Sequence, residues 1–289
     1  MPKPSVFHTN VNRYERGSLT TTEDLLAVEE PLEIRIGYGF PNNRQQKRIA
    51  VTMRTPGNDF ELALGFLYTE KIIQSFDQVI SIKYCSDKNK TEELENVVRV
   101  ELAHDVHFDA KSVKRNFYTT SSCGVCGKES IEAVKLACNP IQVSKNLKLT
   151  ADYFLPLPDK LRNQQVVFAH TGGIHACALF DKNGNLLLMR EDIGRHNALD
   201  KLIGAALAMT NNVFLDSVLL LSGRACFELI QKAALVGIPC ICAVGAPSSL
   251  TVKTAQELNV TLIGFLRNER FNVYADNHQI VLNPGDKTI

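Results

Sequence analysis

Residues 218–266 read VLLLSGRACFELIQKAALVGIPCICAVGAPSSLTVKTAQELNVTLIGFL. Val218–Leu221 is an unbroken apolar run, the kind that fills a strand buried on both faces of a parallel sheet. It ends in Ser222-Gly-Arg224, after which Phe227, Ile230 and Ala234 recur at helical spacing. Ile238–Val244 is again apolar, Gly245-Ala-Pro-Ser-Ser249 breaks it, and a second helix leads to Asn259. Thr261–Leu266 is the next strand. This βαβ rhythm predicts an open α/β sheet with helices packed on it over residues 165–289.

Working upstream, Ala198, Leu199, Leu202, Ile203 and Ala206 form a helical stripe. Cys177–Phe180 and Leu186–Met189 flank Asp181-Lys-Asn-Gly184, a hairpin signal. Val166–Ala169 reads as a short apolar strand. Pro156 and Pro158 make 141–164 the expected linker between two subregions. Before it, residues 1–140 read as a smaller α+β region. Strands are expected at Pro31–Ile36, around Ile49–Met53, at Val79–Tyr84 and at Val97–Leu102, with a fifth candidate element at Phe117–Thr120. A helix carries Phe60, Ala63, Leu64 and Leu67 behind an Asn58 N-cap. Residues 1–28 are polar and poorly periodic and are expected to drape over this region.

Composition narrows the function classes. The chain has 289 residues, 45% hydrophobic and 22% charged, enough apolar surface for sizeable cores. Its 32 Lys and Arg against 31 Asp and Glu give +1, so no general attraction to nucleic acid or anionic membrane is expected. No apolar run is long enough to span a bilayer, and the first residues lack the apolar core of a signal peptide. A cytoplasmic setting with reduced thiols is the expectation, in which a close cysteine pair is chemical or metal-binding rather than a staple.

Such a pair is Cys123-Gly-Val-Cys126. It precedes a helix stripe of Ile131, Val134 and Cys138, so a sulfur facing that N-terminus would be favoured as thiolate, with Lys128 adding positive charge. Structural zinc, a thioredoxin-like redox pair and an inert pair stay open as alternatives; only one Cys-x-x-Cys is present for a zinc site that usually uses two. Cys226, Cys240 and Cys242 lie in or beside apolar elements and read as core.

Four polar loops flank the strands of the second region: His170–His175, Arg190–Asn197, Leu221–Arg224 and Gly245–Ser249. Ligands of open α/β sheets bind beyond the carboxyl ends of the strands. Glycines let backbone amides approach phosphate, and Arg195 and Arg224 offer forks to its oxygens. The loops therefore point to a phosphate or nucleotide site, although neither a Walker A loop nor a strand-borne GxGxxG is present. A zinc deaminase would need His-x-Glu and Pro-Cys-x-x-Cys, and both are missing. No G-x-S-x-G of a serine hydrolase is present either.

Over about residues 29–275 the chain resembles the formate dehydrogenase accessory sulfurtransferase family, FdhD. The resemblance is carried by Glu30-Pro-Leu-Glu-Ile-Arg35, Met53-Arg-Thr-Pro-Gly57, Leu62–Glu70, Ser121–Lys128, Thr171–His175, Glu191–Ala198, Leu221–Arg224 and Ala243–Leu250. It implies a cytidine-deaminase-like α/β domain, a homodimer, and a sulfur carrier that takes persulfide sulfur from a cysteine desulfurase. The recipient it implies is the molybdenum bis-guanine-dinucleotide cofactor of formate dehydrogenase. By position, Cys123 and Cys126 would be the sulfur-handling pair. Thr171, Gly172, Gly173, His175, Asp192, Arg195, Ser222, Gly223 and Arg224 would contact the cofactor or a guanine nucleotide that mimics part of it. A cofactor-holding chaperone without sulfur chemistry, or a zinc-stabilised interaction protein, are the other readings.

Overall fold

The computed structural model describes residues 3–85, 95–106, 108, 141, 147–209, 213–277 and 280–281. The chain opens with an antiparallel ribbon, β1 (Val6–Glu15) and β2 (Ser18–Ala27), where a loose covering was expected. Arg16 and Gly17 both have positive φ, the two-residue turn whose twist matches a hairpin. Polar and apolar residues mix on both faces of the ribbon, so no alternation announces it; Phe7, Tyr14 and Leu19 are exposed.

Next come β3 (Glu30–Tyr38), β4 (Gln45–Arg54), α1 (Asp59–Thr69), β5 (Val79–Tyr84) and β6 (Val97–Leu102). They form a four-stranded sheet in the order β4-β3-β6-β5. Leu32, Ile34 and Ile36 are buried under α1, as their alternation predicts. Ile49 is buried too, but a register shift opposite Ile34 turns Val51 and Met53 to the exposed side. Phe60 leaves the predicted helix face and packs its ring on Tyr84.

The second region follows β7 (Leu149–Thr150), α2 (Ala151–Phe154), α3 (Leu157–Arg162) and α4 (Val166–Thr171). It continues with β8 (His175–Phe180), β9 (Leu186–Asp192), α5 (Arg195–Leu207), β10 (Val218–Leu221) and α6 (Phe227–Leu235). Last come β11 (Cys240–Ala243), α7 (Ser249–Glu257), β12 (Thr261–Arg267), β13 (Arg270–Ala275) and β14 (Ile280–Val281). Six strands make the main sheet in the order β13-β12-β11-β10-β8-β9, with β10, β11 and β12 parallel. β14 pairs with β7 beside it. An α/β open sheet with helices, plus a smaller α+β N-terminal unit, is the architecture expected.

Period-two geometry explains the unbroken apolar runs. Leu219, Leu221, Ile241 and Ala243 face a core shared with α5, α6 and α7, while Val218, Leu220, Cys240 and Cys242 face a second core closed by Phe154, Leu157 and Leu161 of α2 and α3. Residues 151–162 thus cover the second face of the sheet; Pro156 ends α2 and Pro158 falls in the first turn of α3, where a missing amide costs little.

Val166–Ala169 is helical, not a strand. The Glu191 carboxylate on β9 accepts from the Val167 and Phe168 amides at 3.0 and 2.9 Å, satisfying helix-start donors through a tertiary contact invisible in local sequence. Gly172 closes this short helix with φ 65°.

The two units meet where α1 crosses α5. A Cβ on Gly65 would lie 1.8 Å from the Asp200 carbonyl oxygen, and one on Gly204 would lie 1.9 Å from that of Glu61. Only glycine lets the backbones come this close. Buried charge pairs surround the crossing: Arg54 grips Asp59 with two hydrogen bonds, and Lys232 reaches Asp200 at 2.8 Å. No helix among the described residues is long and apolar enough to cross a membrane.

Candidate functional site

The carboxyl ends of β9, β10, β11 and β12 and the start of β8 share one edge of the main sheet. Backbone bonds sew its loops together: Ser222 N–H to Ala176 O, Val244 N–H to Leu221 O and Gly245 N–H to Gly223 O, at 3.0, 3.0 and 2.9 Å. Ser222 Oγ also accepts from the Ala176 amide at 2.8 Å. These bonds hold Ser222 and Gly223 beside His175, whose ring sits against the Gly223 backbone.

A cavity of about 650 Å³ opens at this edge, walled on its other side by α3 and α4. Of the residues expected from sequence, Gly172, Gly173, His175, Ser222 and Gly223 line it. Thr171 is turned into α4, its hydroxyl donating to Val167 O at 2.8 Å. Asp192 is fully buried, where it accepts from Lys201, Gly194, Asn197 and the Thr55 amide. Its oxygens are spent on the junction between the two units. Arg224 is exposed, and Arg195 keeps a buried Nε with no partner among the described residues. Neither arginine lines the cavity, yet both sit close enough to His175 to act on it. Burial first, then these two guanidinium charges, hold its imidazole below the ordinary value of 6.5.

Sequence reasoning missed the opposite wall. Arg162 stacks its guanidinium 3.9 Å above the Phe168 ring, Gln165 is buried with Nε2 unpartnered among the described residues, and Arg267 donates to Val244 O and Leu266 O. Arg162 belongs to the stretch read as a linker and Phe168 to the one read as a strand, with Gln165 between them, so no pattern marked them. The arrangement offers a guanidinium plane held on an aromatic ring, a second cation and one unspent amide nitrogen, the chemistry that holds a planar base and an anion.

A second cluster lies at the heads of α5 and α6. Cys226, expected in the core, is instead the N-cap residue of α6 and only partly buried. Its Sγ lies 3.4 Å from His196 Nε2, and the same nitrogen lies 2.7 Å from Glu228 Oε2. Burial opposes a charged thiolate, but the His196 hydrogen bond and charge outweigh it and bring the thiol down to about 7. Burial likewise opposes imidazolium, and the bonds to Cys226 and Glu228 push His196 up to about 9. Cys240 and Cys242 are core residues, as expected. Cys123, Cys126 and Cys138 lie outside the described residues, as does the Phe117–Thr120 element.

Residues 27–281 match the model of the FdhD/NarQ family. The chain belongs to that family. The match covers the cavity wall, the Cys123–Cys126 pair and the Cys226 cluster, and leaves out most of the β1–β2 ribbon. Among curated relatives, "Sulfur carrier protein FdhD" of Streptomyces avermitilis is 47% identical over 277 residues, 94% of each chain. Its namesake from Sulfolobus acidocaldarius is 39% identical over 94% of this chain and 97% of its own. The fold matches a crystal structure described as a formate dehydrogenase accessory protein from Desulfotalea psychrophila. TM-score is 0.74 at 23% identity, over 96% of this chain and all of that one.

Proposed function

We propose that this protein is a sulfur carrier serving formate dehydrogenase. It accepts sulfane sulfur from a cysteine desulfurase on Cys123 or Cys126 and delivers it to a molybdenum bis-guanine-dinucleotide cofactor held by its guanine end. In loading, a thiolate of the pair attacks the outer sulfur of the donor persulfide and the donor thiolate leaves; no net oxidation occurs. Binding energy from a nucleotide far from the reacting sulfur positions the metal end for delivery.

The observation that carries the reading is the cavity at the strand ends, in a chain 47% identical to a protein named as a sulfur carrier. Gly172, Gly173 and Gly223 bare their backbones to it, and the Arg162 guanidinium, stacked on Phe168, offers its outer plane to a purine. The unpartnered Gln165 amide nitrogen suits a carbonyl acceptor such as the guanine O6.

Two measurements test this. Titration calorimetry with guanosine diphosphate should show binding that weakens about tenfold in Gln165→Ala, the usual cost of one hydrogen bond to a buried group. Equal affinity in Gln165→Ala and Arg162→Ala would move the nucleotide elsewhere. With purified desulfurase and cysteine, mass spectrometry should find sulfur on the Cys123–Cys126 peptide. If Cys123→Ala and Cys126→Ala, singly and together, still activate formate dehydrogenase, the protein is a cofactor-holding chaperone instead.

A further inference from the structure

We propose that Cys226, paired with His196 and steadied by Glu228, is a second sulfur-accepting thiol of this protein, one that takes sulfane sulfur from a low-molecular-weight persulfide. It goes beyond the reading above, because it uses neither Cys123 nor Cys126 and needs no molybdenum cofactor.

Four features converge on this sulfur. Cys226 occupies the N-cap position of the nine-residue α6, and His196 stands in the first turn of α5, so the positive ends of two helices meet at the pair. The Sγ–Nε2 separation of 3.4 Å puts the imidazole within hydrogen-bond reach of the sulfur, as a His-activated cysteine requires. Glu228, two positions along α6, holds the ring by the same nitrogen at 2.7 Å. Cys226 is also partly open to solvent, while Cys177, Cys240 and Cys242 are buried, and burial pushes the Cys177 and Cys242 thiols up.

The geometry favours a proton over a metal between these three groups. Tetrahedral zinc bonds of about 2.0–2.1 Å would separate nitrogen from oxygen by roughly 3.3 Å, well beyond the hydrogen-bond distance observed. The Arg195 guanidinium, which helps hold the Cys226 thiol down, repels a cation and favours the thiolate. The charged and titratable groups that act on the sulfur are Arg195 and His196 from α5 and Cys177 from β8; Glu228 of α6 and His175 of β8 act on the His196 ring, and Lys232 of α6 acts on Glu228.

The step balances without an oxidant. The Cys226 thiolate attacks the outer sulfur of R–S–SH, a Cys226 S–S bond forms, and the bond to R breaks with its electron pair leaving on R–S⁻. The proton shared by His196 Nε2 passes to that leaving thiolate.

The test treats the full-length protein with glutathione persulfide and follows the Cys226 peptide by mass spectrometry from about pH 5 to 10, a range that brackets thiol ionisation. The sulfur should load with a midpoint near 7. His196→Gln should move the midpoint up toward an ordinary thiol. Thiolate at neutral pH then falls about fiftyfold, partly offset by greater intrinsic nucleophilicity, so the rate drops roughly sixfold or more. Glu228→Gln, which keeps the ring, should give a smaller fall in the same direction, and circular dichroism shows whether each variant is folded. No sulfur on Cys226, or a midpoint unmoved in both folded variants, overturns the proposal. So does binding of one zinc ion per chain from zinc chloride that blocks loading and is lost in His196→Gln, which makes the cluster a metal site. Because donor and readout both bypass Cys123, Cys126 and the desulfurase, failure here is separate from failure of the carrier reading.

Discussion

Gly204→Ala probes the crossing on which the arrangement of the two units depends. The added Cβ would lie 1.9 Å from the Glu61 carbonyl oxygen and 2.9 Å from the Gly65 amide nitrogen. Ordinary carbon–oxygen contact is near 3.2 Å, so α1 and α5 must separate locally by roughly 1.3 Å, against an interior packed as densely as a crystal. The atoms that clash are main chain, so no rotamer change relieves them. Overpacking of this kind costs about 1–3 kcal/mol, and a backbone clash belongs at the upper end. Moving α5 also stretches the Lys232–Asp200 pair, whose Lys Nζ is 2.8 Å from Oδ1 and also bonds Thr69 on α1. A loss of about 3 kcal/mol is expected, which at this chain length lowers the melting temperature by roughly 6–12 °C. Urea denaturation with fluorescence and circular dichroism on the same samples gives the measurement. A loss below about 0.5 kcal/mol would refute the reasoning, since surface substitutions that disturb nothing fall in that range.

Lys201→Met removes the cation that sits 2.7 Å from the fully buried Asp192 carboxylate. A loss of about 3–5 kcal/mol in urea denaturation is expected, and recovery of most of it in Lys201→Met with Asp192→Asn would show that the stranded charge is the cause. His175 gives a pH signature: with its folded value held below 6.5, the unfolded chain binds a proton that the folded chain refuses, so stability falls as pH drops from 6.5 toward the folded value. His175→Asn should flatten that part of the stability–pH curve, and an unchanged slope would show that its imidazole does not titrate differently on folding.

Much of the main sheet is legible because its strands answer to one simple condition. β10, β11 and β12 are apolar on both faces, and helices or short helical segments cover both, so composition alone locates them. β5 and β6 also fall where alternation places them. The β1–β2 ribbon and β13 have no buried face to impose a pattern; Arg270 to Ala275 is exposed or half-buried throughout. α4 is opaque for a different reason, since its β-branched start is overruled by a carboxylate more than twenty residues away. At the site, the glycines and His175 could be anticipated from loops at strand ends, whereas Arg162, Gln165 and Phe168 reach the cavity only through the docking of α3 and α4. Cys226 is only half legible, because an apolar neighbourhood in sequence does not reveal that its N-cap position leaves it partly buried against the core and within reach of His196.

The position of His196, and with it the character of Cys226, is fixed from the other unit. Asn197 donates to Met53 O at 2.7 Å and accepts from the Thr52 hydroxyl at 3.1 Å. The Ile193 amide bonds the Thr55 hydroxyl, and Lys201 Nζ bonds the Thr55 carbonyl at 2.8 Å. Three residues at and just past the end of β4, Thr52, Met53 and Thr55, therefore clamp both sides of the α5 head, with Asp192 as the common acceptor beneath it. An isolated main sheet would keep its strands and lose this clamp. A first helical turn held only by its own amides frays, because four of its N–H groups have no partner within the helix. The N-terminal unit thus supplies the tertiary restraint that keeps an imidazole at hydrogen-bond distance from a thiol on a neighbouring helix. The sulfur-accepting role proposed for Cys226 therefore draws on both units, even though Cys226, His196 and Glu228 all belong to one.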